Sequence, residues 1–169
     1  MNYIEQYLEE IHAGRCIVSN RVRKEYERLY QDMTDLGSPY YFDEEKANLP
    51  IEFIERFCKH SKGEWAGRPV LLELFQKAFI SALFGFIEED TGLRRFRETL
   101  FYVARKNGKS TMLSGIALHM LIADNEPGAE VYSVASKKDQ ARIIFDETYN
   151  MIKQSPDLLQ VVKKRKSES

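Results

Sequence analysis

The 169 residues are 43% hydrophobic and 12% aromatic, enough for one compact domain with a real core. Basic and acidic side chains nearly balance, 25 against 26, which excludes blanket nucleic-acid binding through net charge and leaves only local patches open. No apolar run approaches the ~18 residues of a membrane span, no signal peptide precedes the first helix, and Cys16 and Cys58 match no metal spacing; the expectation is a soluble, intracellular protein with two free thiols.

In chain order, Ile4, Leu8 and Ile11 set one face of a helix over residues 1–11. Val22, Tyr26, Leu29, Tyr30 and Met33 do the same over 22–33. His12-Ala13-Gly14 is a stop and Leu36-Gly37-Ser38-Pro39 a turn. An aromatic, then acidic, stretch fills 40–48. Pro50 predicts a helix start, followed by Ile51, Ile54, Phe57 and Cys58 at helical spacing. Residues 1–62 thus read as a helical N-terminal region that covers the core or docks a partner.

Residues 61–69 hold two Gly, a Pro and the single Trp, so they read as a loop that Trp65 packs onto the body, with ligand stacking as the alternative. Val70 to Ile87 is the longest helix candidate, with Leu71, Leu74, Phe75, Ala78, Phe79 and Ala82 in a continuous stripe. Gln76 stands inside it. Its amide is either a satisfied core polar group or a reader of the adenine edge, whose donor and acceptor an amide matches in pairs. Arg94, Arg95 and Arg97 read as a solvated basic turn.

Thr99 to Val103 then predicts a buried strand, and Met112 to Ala123 a helix with Leu113, Ile116, Ala117, Met120 and Leu121 at helical spacing. Between them lies Arg105-Lys106-Asn107-Gly108-Lys109-Ser110-Thr111. A bare Gly-Lys-Ser/Thr turns up by accident about one time in ten in a chain this long. Strand, loop and helix in this order is the context that a phosphate-binding loop requires. A helix N-terminus offers unpaired N–H groups to phosphate oxygens. Gly108 lets the backbone approach, Lys109 reaches the β- and γ-phosphates, and the Ser110 hydroxyl can hold Mg²⁺. One departure stands out: the place of the pattern's first Gly holds Val103.

Glu130 to Ala135 predicts a second strand, and Ser136-Lys137-Lys138-Asp139 a capping box. The helix it opens carries Ala141, Ile144, Phe145, Thr148 and Ile152 on one face and ends before Ser155-Pro156. Strand, helix, strand, helix implies a parallel pair with a right-handed crossover, the opening of a doubly wound α/β sheet. Residues 63–160 are expected to form a partial P-loop domain, and 161–169, with Lys163-Lys164-Arg165-Lys166, a basic tail or a truncation point. Hydrolysis also needs acids at the end of a strand. Asp146-Glu147 sits in a helical pattern, and Leu83 to Asp90 has helical period ahead of the loop, so neither fits.

Three features resemble the ATPase portion of the large terminase subunit of tailed bacteriophages, over about Tyr40 to Leu159. Arg105 to Ser110 is similar to that family's deviant P-loop, which commonly lacks the first Gly. Gln76 falls where the family places its adenine-reading glutamine. Val131 to Ala135, followed by Gln140, Ala141 and Phe145, resembles the segment after the P-loop helix. The resemblance implies a RecA-like fold with parallel strands and crossover helices, ATP and Mg²⁺ as cofactors, and contact of Arg105 with the γ-phosphate. It implies a DNA-packaging motor in the bacterial cytoplasm: double-stranded viral DNA, a portal protein and a small terminase subunit as partners, and a homo-oligomeric ring on the portal. The family's acidic strand and nuclease domain have no counterpart in 169 residues, so a fragment or a truncated gene without turnover of its own is expected. A helicase-like translocase and a degenerate P-loop module that only binds are the alternatives.

Overall fold

A computed structural model describes residues 2–162; the run Lys163-Lys164-Arg165-Lys166 of the expected tail lies outside the described residues. In order, the elements are α1 (Tyr3–His12), α2 (Asn20–Thr34), β1 (Tyr40–Phe42), α3 (Glu44–Phe57), a single 3-10 turn (Gly63–Trp65), α4 (Leu74–Gly85), β2 (Phe86–Glu88), α5 (Lys109–Ile122), α6 (Lys138–Gln154) and α7 (Pro156–Val161). They gather into two compact units, Met1–Ile51 with Leu72–Phe101, and Glu52–Leu71 with Tyr102–Ser169, so the boundary falls inside α3.

In the first unit the helices start where side chains satisfy their free N–H groups. Asn2 Oδ1 accepts from the Ile4 and Glu5 amides, both at 3.1 Å, and Ser19 Oγ from Val22 at 3.4 Å. The helical faces at Ile4, Tyr7, Leu8 and Ile11, and at Tyr26 and Leu29, meet Ala78, Ala82 and Phe86 in one core. Each large side chain so buried contributes about 1.5–3 kcal/mol. Tyr7 and Tyr26 meet edge to face at 4.8 Å. The antiparallel pair β1–β2 aligns Tyr40 with Glu88 and Phe42 with Phe86. Arg95 donates to Asp32 at 2.8 Å and lies over the Tyr40 and Phe96 rings, while Arg94 lies over Phe84. These two arginines are packed on aromatic faces, which corrects the solvated basic turn.

Three helix boundaries differ from expectation. α3 begins six residues ahead of Pro50, because Asp43 Oδ1 accepts the Lys46 amide at 3.0 Å and caps it there. Pro50 therefore lies inside the helix. α4 covers only 74–85, and Phe86–Glu88 leave it for the ladder with β1. The ladder supplies backbone partners at 86–88 that the helical period alone does not reveal. α6 starts at Lys138 with no side-chain cap, so the Ser136 capping box is not formed.

In the second unit α5 packs on α6 and on the C-terminal part of α3. Its buried residues are Met112, Ser114, Gly115, Ile116, Leu118 and His119, whereas Leu113 and Leu121 face outward. The stripe is thus rotated from the expected one. A Cβ at Gly115 would stand 2.8 Å from Ile54 Cγ1, so the missing side chain is what lets α5 approach α3. Ser114 Oγ donates to the Ile144 carbonyl of α6 at 3.3 Å. Phe145, expected on the inner face of α6, is half exposed. The loop at 58–70 is tied down by Val70 N–H to Cys58 O at 3.0 Å and by Ser61 Oγ to Glu147 Oε1 at 2.7 Å. Trp65 is half exposed and stacks only locally, with Arg68 over its ring at 5.0 Å.

The expected parallel strands do not appear among the described residues. Residues 98–104 and 129–135 carry no ladder, and among the described residues the only sheet is β1–β2. Leu100 is 89% exposed, Tyr102 95% and Val134 89%. A strand is stable only when neighbours take up its backbone groups and cover its faces, and parallel strands need cover on both. Two candidate strands without further neighbours do not meet that requirement. The described architecture is helix-rich, and a parallel sheet is not part of it.

Candidate functional site

The loop ahead of α5 adopts the shape its residue types favour. Gly108 is the N-cap of α5 and holds φ +69°, a left-handed conformation that glycine adopts without penalty. No side chain caps the helix, so its first N–H groups stay directed at the loop mouth. A side-chain oxygen at this cap would take those donors; glycine leaves them available to an anion. Lys106 also holds a left-handed φ, +67°, which is uncommon outside glycine, Asn and Asp. Asn107 Nδ2 donates to the carbonyls of Ala104 (3.2 Å) and Arg105 (3.3 Å), folding the loop on itself. Lys109 turns its ammonium back to the Val103 carbonyl at 2.5 Å.

The loop residues Arg105, Lys106, Asn107 and Gly108 are exposed, and Lys109, Ser110 and Thr111 are half-buried at the helix start. Three cations thus stand within five residues, beside the positive end of a helix dipole. The donor set fits a phosphate chain: backbone N–H groups, a lysine within reach and a hydroxyl in the first turn. Ser110 is the residue that would hold a divalent cation alongside that phosphate. Among the described residues no cluster of His, Cys, Asp and Glu forms a metal site by itself.

Gln76 belongs to the first unit and the loop to the second. Gln76 is buried, at 6% exposure, and its Oε1 accepts the Glu73 amide at 3.0 Å, closing a capping box at the start of α4. Its first role is therefore structural. Of the carboxylates weighed as catalytic, Glu147 lies on α6 and accepts from Ser61, and Glu88 ends β2 and accepts from Thr91. Each accepts one hydroxyl hydrogen bond.

Gly115 and His119 escaped the sequence reading. His119 is buried, edge-on to Phe53 with ring centroids 5.5 Å apart, and its Nε2 is 3.8 Å from Asp124 Oδ1. Their spacing from Met112, at i+3 and i+7, was the signal available.

The comparisons with known proteins converge. A family model described as the terminase large subunit, ATPase domain, matches residues 74–169, more than half of the chain. The large terminase subunit of Enterobacteria phage HK97 is 34% identical over 113 residues, which are 66% of this chain and 21% of that protein. The chain thus spans no more than a small part of that relative's length. No solved structure matches.

Proposed function

The chain belongs to the family of terminase large-subunit ATPase domains, and on that premise we propose that it is the nucleotide-binding portion of a motor that packages viral DNA. The observation that carries this is the start of α5: a left-handed Gly108, no side-chain cap, and Lys109 at the mouth of the loop. Nucleotide use goes with the family. The finer assignment, ATP with Mg²⁺, is ours. In it the N–H groups of residues 108–111 and the Lys109 ammonium hold the phosphates, and Ser110 Oγ holds Mg²⁺. Lys109 exchanges its bond to Val103 for one to phosphate, so binding and loop opening are one event. Arg105 lies exposed on the same loop, where a planar guanidinium stabilises charge on the terminal phosphate as it leaves. Gln76 reads the base. Mg²⁺, held at Ser110, would supply charge neutralisation at the phosphates.

At the level of the whole motor, the proposal includes a RecA-like fold, double-stranded viral DNA as cargo, a portal protein and a small terminase subunit as partners, and a ring assembled on the portal in the bacterial cytoplasm. A helical region over 1–62 followed by a P-loop portion over 63–160 is the corresponding division of labour. Among the described residues no helix is long and apolar enough to cross a membrane. We further propose that this chain binds nucleotide without steady turnover: Glu147 lies on α6 and Glu88 on β2 ahead of the loop, so neither ends a strand that follows it.

The test is calorimetric titration of the chain with ATP–Mg²⁺. The parent is expected to bind, and Lys109→Ala to bind at least about tenfold more weakly, the scale of one lost charge-assisted hydrogen bond. No heat of binding with the parent would defeat the proposal. Phosphate release that Lys109→Ala abolishes would defeat the reading of binding without turnover.

A further inference from the structure

We infer that Asn107 is a positioning residue: it sets the loop's shape through its own backbone carbonyls and does not touch the nucleotide. The inference rests on the nucleotide-binding reading above and assigns the part that this one side chain plays in it.

The geometry begins with the amide. Asn107 Nδ2 spans the carbonyls of Ala104 and Arg105, at 3.2 and 3.3 Å. One NH₂ group has two hydrogens, so two carbonyl partners take up both. An asparagine reading phosphate would point those same hydrogens outward. Here they face back into the loop and pull residues 104–107 into a tight turn.

The second observation is the strain inside that turn. Lys106 sits between the braced carbonyls and the amide that braces them, at φ +67°. L side chains resist this conformation, and lysine has no short polar group to compensate locally, as Asn or Asp has. Nothing in the sequence of Lys106 favours the shape, so something else must hold it. Both Asn107 bonds reach back across Lys106, to the carbonyls of Ala104 and Arg105, and are interactions in place to do so. Two residues on, Gly108 takes the same sign of φ and opens α5. A turn that relaxed at Lys106 would swing Arg105 and the Val103 carbonyl, the acceptor of Lys109, out of register with the helix start.

A side chain that acts through the backbone and one that contacts the ligand respond differently to a change at Lys106. Glycine at 106 removes the resistance to φ +67°, so the turn no longer needs its brace. A direct contact from Asn107 to nucleotide would be just as necessary with glycine beside it. The experiment is a double-mutant cycle on the full chain, with ATP–Mg²⁺ affinity measured by titration for the parent, Asn107→Ala, Lys106→Gly and the pair. These residues are exposed, so no core packing is disturbed.

With Lys106 present, Asn107→Ala is expected to weaken binding about tenfold, the scale of two modest hydrogen bonds. With glycine at 106, the same substitution is expected to cost about twofold or less. An equal penalty in both backgrounds would overturn the inference and make Asn107 a ligand contact. No penalty in the Lys106 background would overturn it as well, while leaving nucleotide binding intact. Absence of binding by the parent would overturn the nucleotide reading, and this inference with it.

Discussion

Gln76 has two demands on one amide. Its Oε1 holds the Glu73 N–H, and the proposed base contact needs its NH₂ and the remaining lone pair. The two roles separate by substitution. Gln76→Ala removes both, and is expected to lower the unfolding free energy by about 1–2 kcal/mol, as loss of a cap and a buried hydrogen bond does. Gln76→Glu keeps the acceptor, and a carboxylate in a first helical turn is favoured by the helix dipole, which offsets part of the cost of its burial. Urea unfolding should therefore find the Glu variant more stable than the Ala variant. The Glu variant lacks the NH₂, so its preference for ATP over GTP should disappear. A preference equal to the parent's would leave Gln76 with its capping role alone.

The P-loop helix tests the packing account. Alanine in place of a mid-helix glycine ordinarily adds about 1 kcal/mol of stability. At Gly115 the new methyl would meet Ile54, which is fully buried. Overpacking of this kind costs about 1–3 kcal/mol, so Gly115→Ala is expected to be destabilising on balance. Adding Ile54→Val should recover part of the loss; a stabilised single variant would refute the contact. At the same scale, the segments 98–104 and 129–135 lack a ladder. Their amides are expected to exchange with solvent near the rate of an open chain, while those of 112–119 are protected. Slow exchange at 99–103 would mean that a strand forms there after all. The contrast shows what a sequence conveys about an element. α1, α2 and α5 were legible because a helix is a local object whose period and stops lie within it. The loop was legible for the same reason. β2 and the unformed strands were not, because a strand depends on a partner distant in sequence. α4's capping box escaped notice because its N-cap is Glu73, outside the usual Ser, Thr, Asp and Asn.

For the molecule as a whole, alkaline pH should be the weak side. Burial pushes the Cys58 thiol up to about 12, and burial, reinforced by Cys16, pushes Tyr7 up to about 12. Both groups are neutral when protonated, and both folded values lie above the unfolded ones, near 9.0 and 10.0. Between those limits the unfolded chain binds fewer protons than the folded one, so stability falls as pH rises. Their contribution is complete below pH about 9 and lost progressively toward about 12. Melting temperature should hold steady from pH 7 to 8.5 and then decline, less steeply in Cys58→Ala. Cys58 sits in one compact unit and Tyr7 in the other, so both are affected. A thiol reagent at pH 8 should find Cys16, which is half-buried, well before Cys58.

The two units are also interleaved in the order of synthesis. The first is built from Met1–Ile51 and Leu72–Phe101, and the second from Glu52–Leu71 and everything from Tyr102 on. A ribosome that has released only α1, α2 and β1 has made apolar faces whose partners, α4 and β2, do not yet exist. Ile4, Tyr26 and Leu29 must wait for Ala78 and Phe86. The stretch at 52–71 waits longer still, for α5 and α6. The first unit therefore waits for Leu72–Phe101 to emerge, and the second for the residues from Tyr102 on. For the same reason, no single peptide-bond cleavage can release either unit whole.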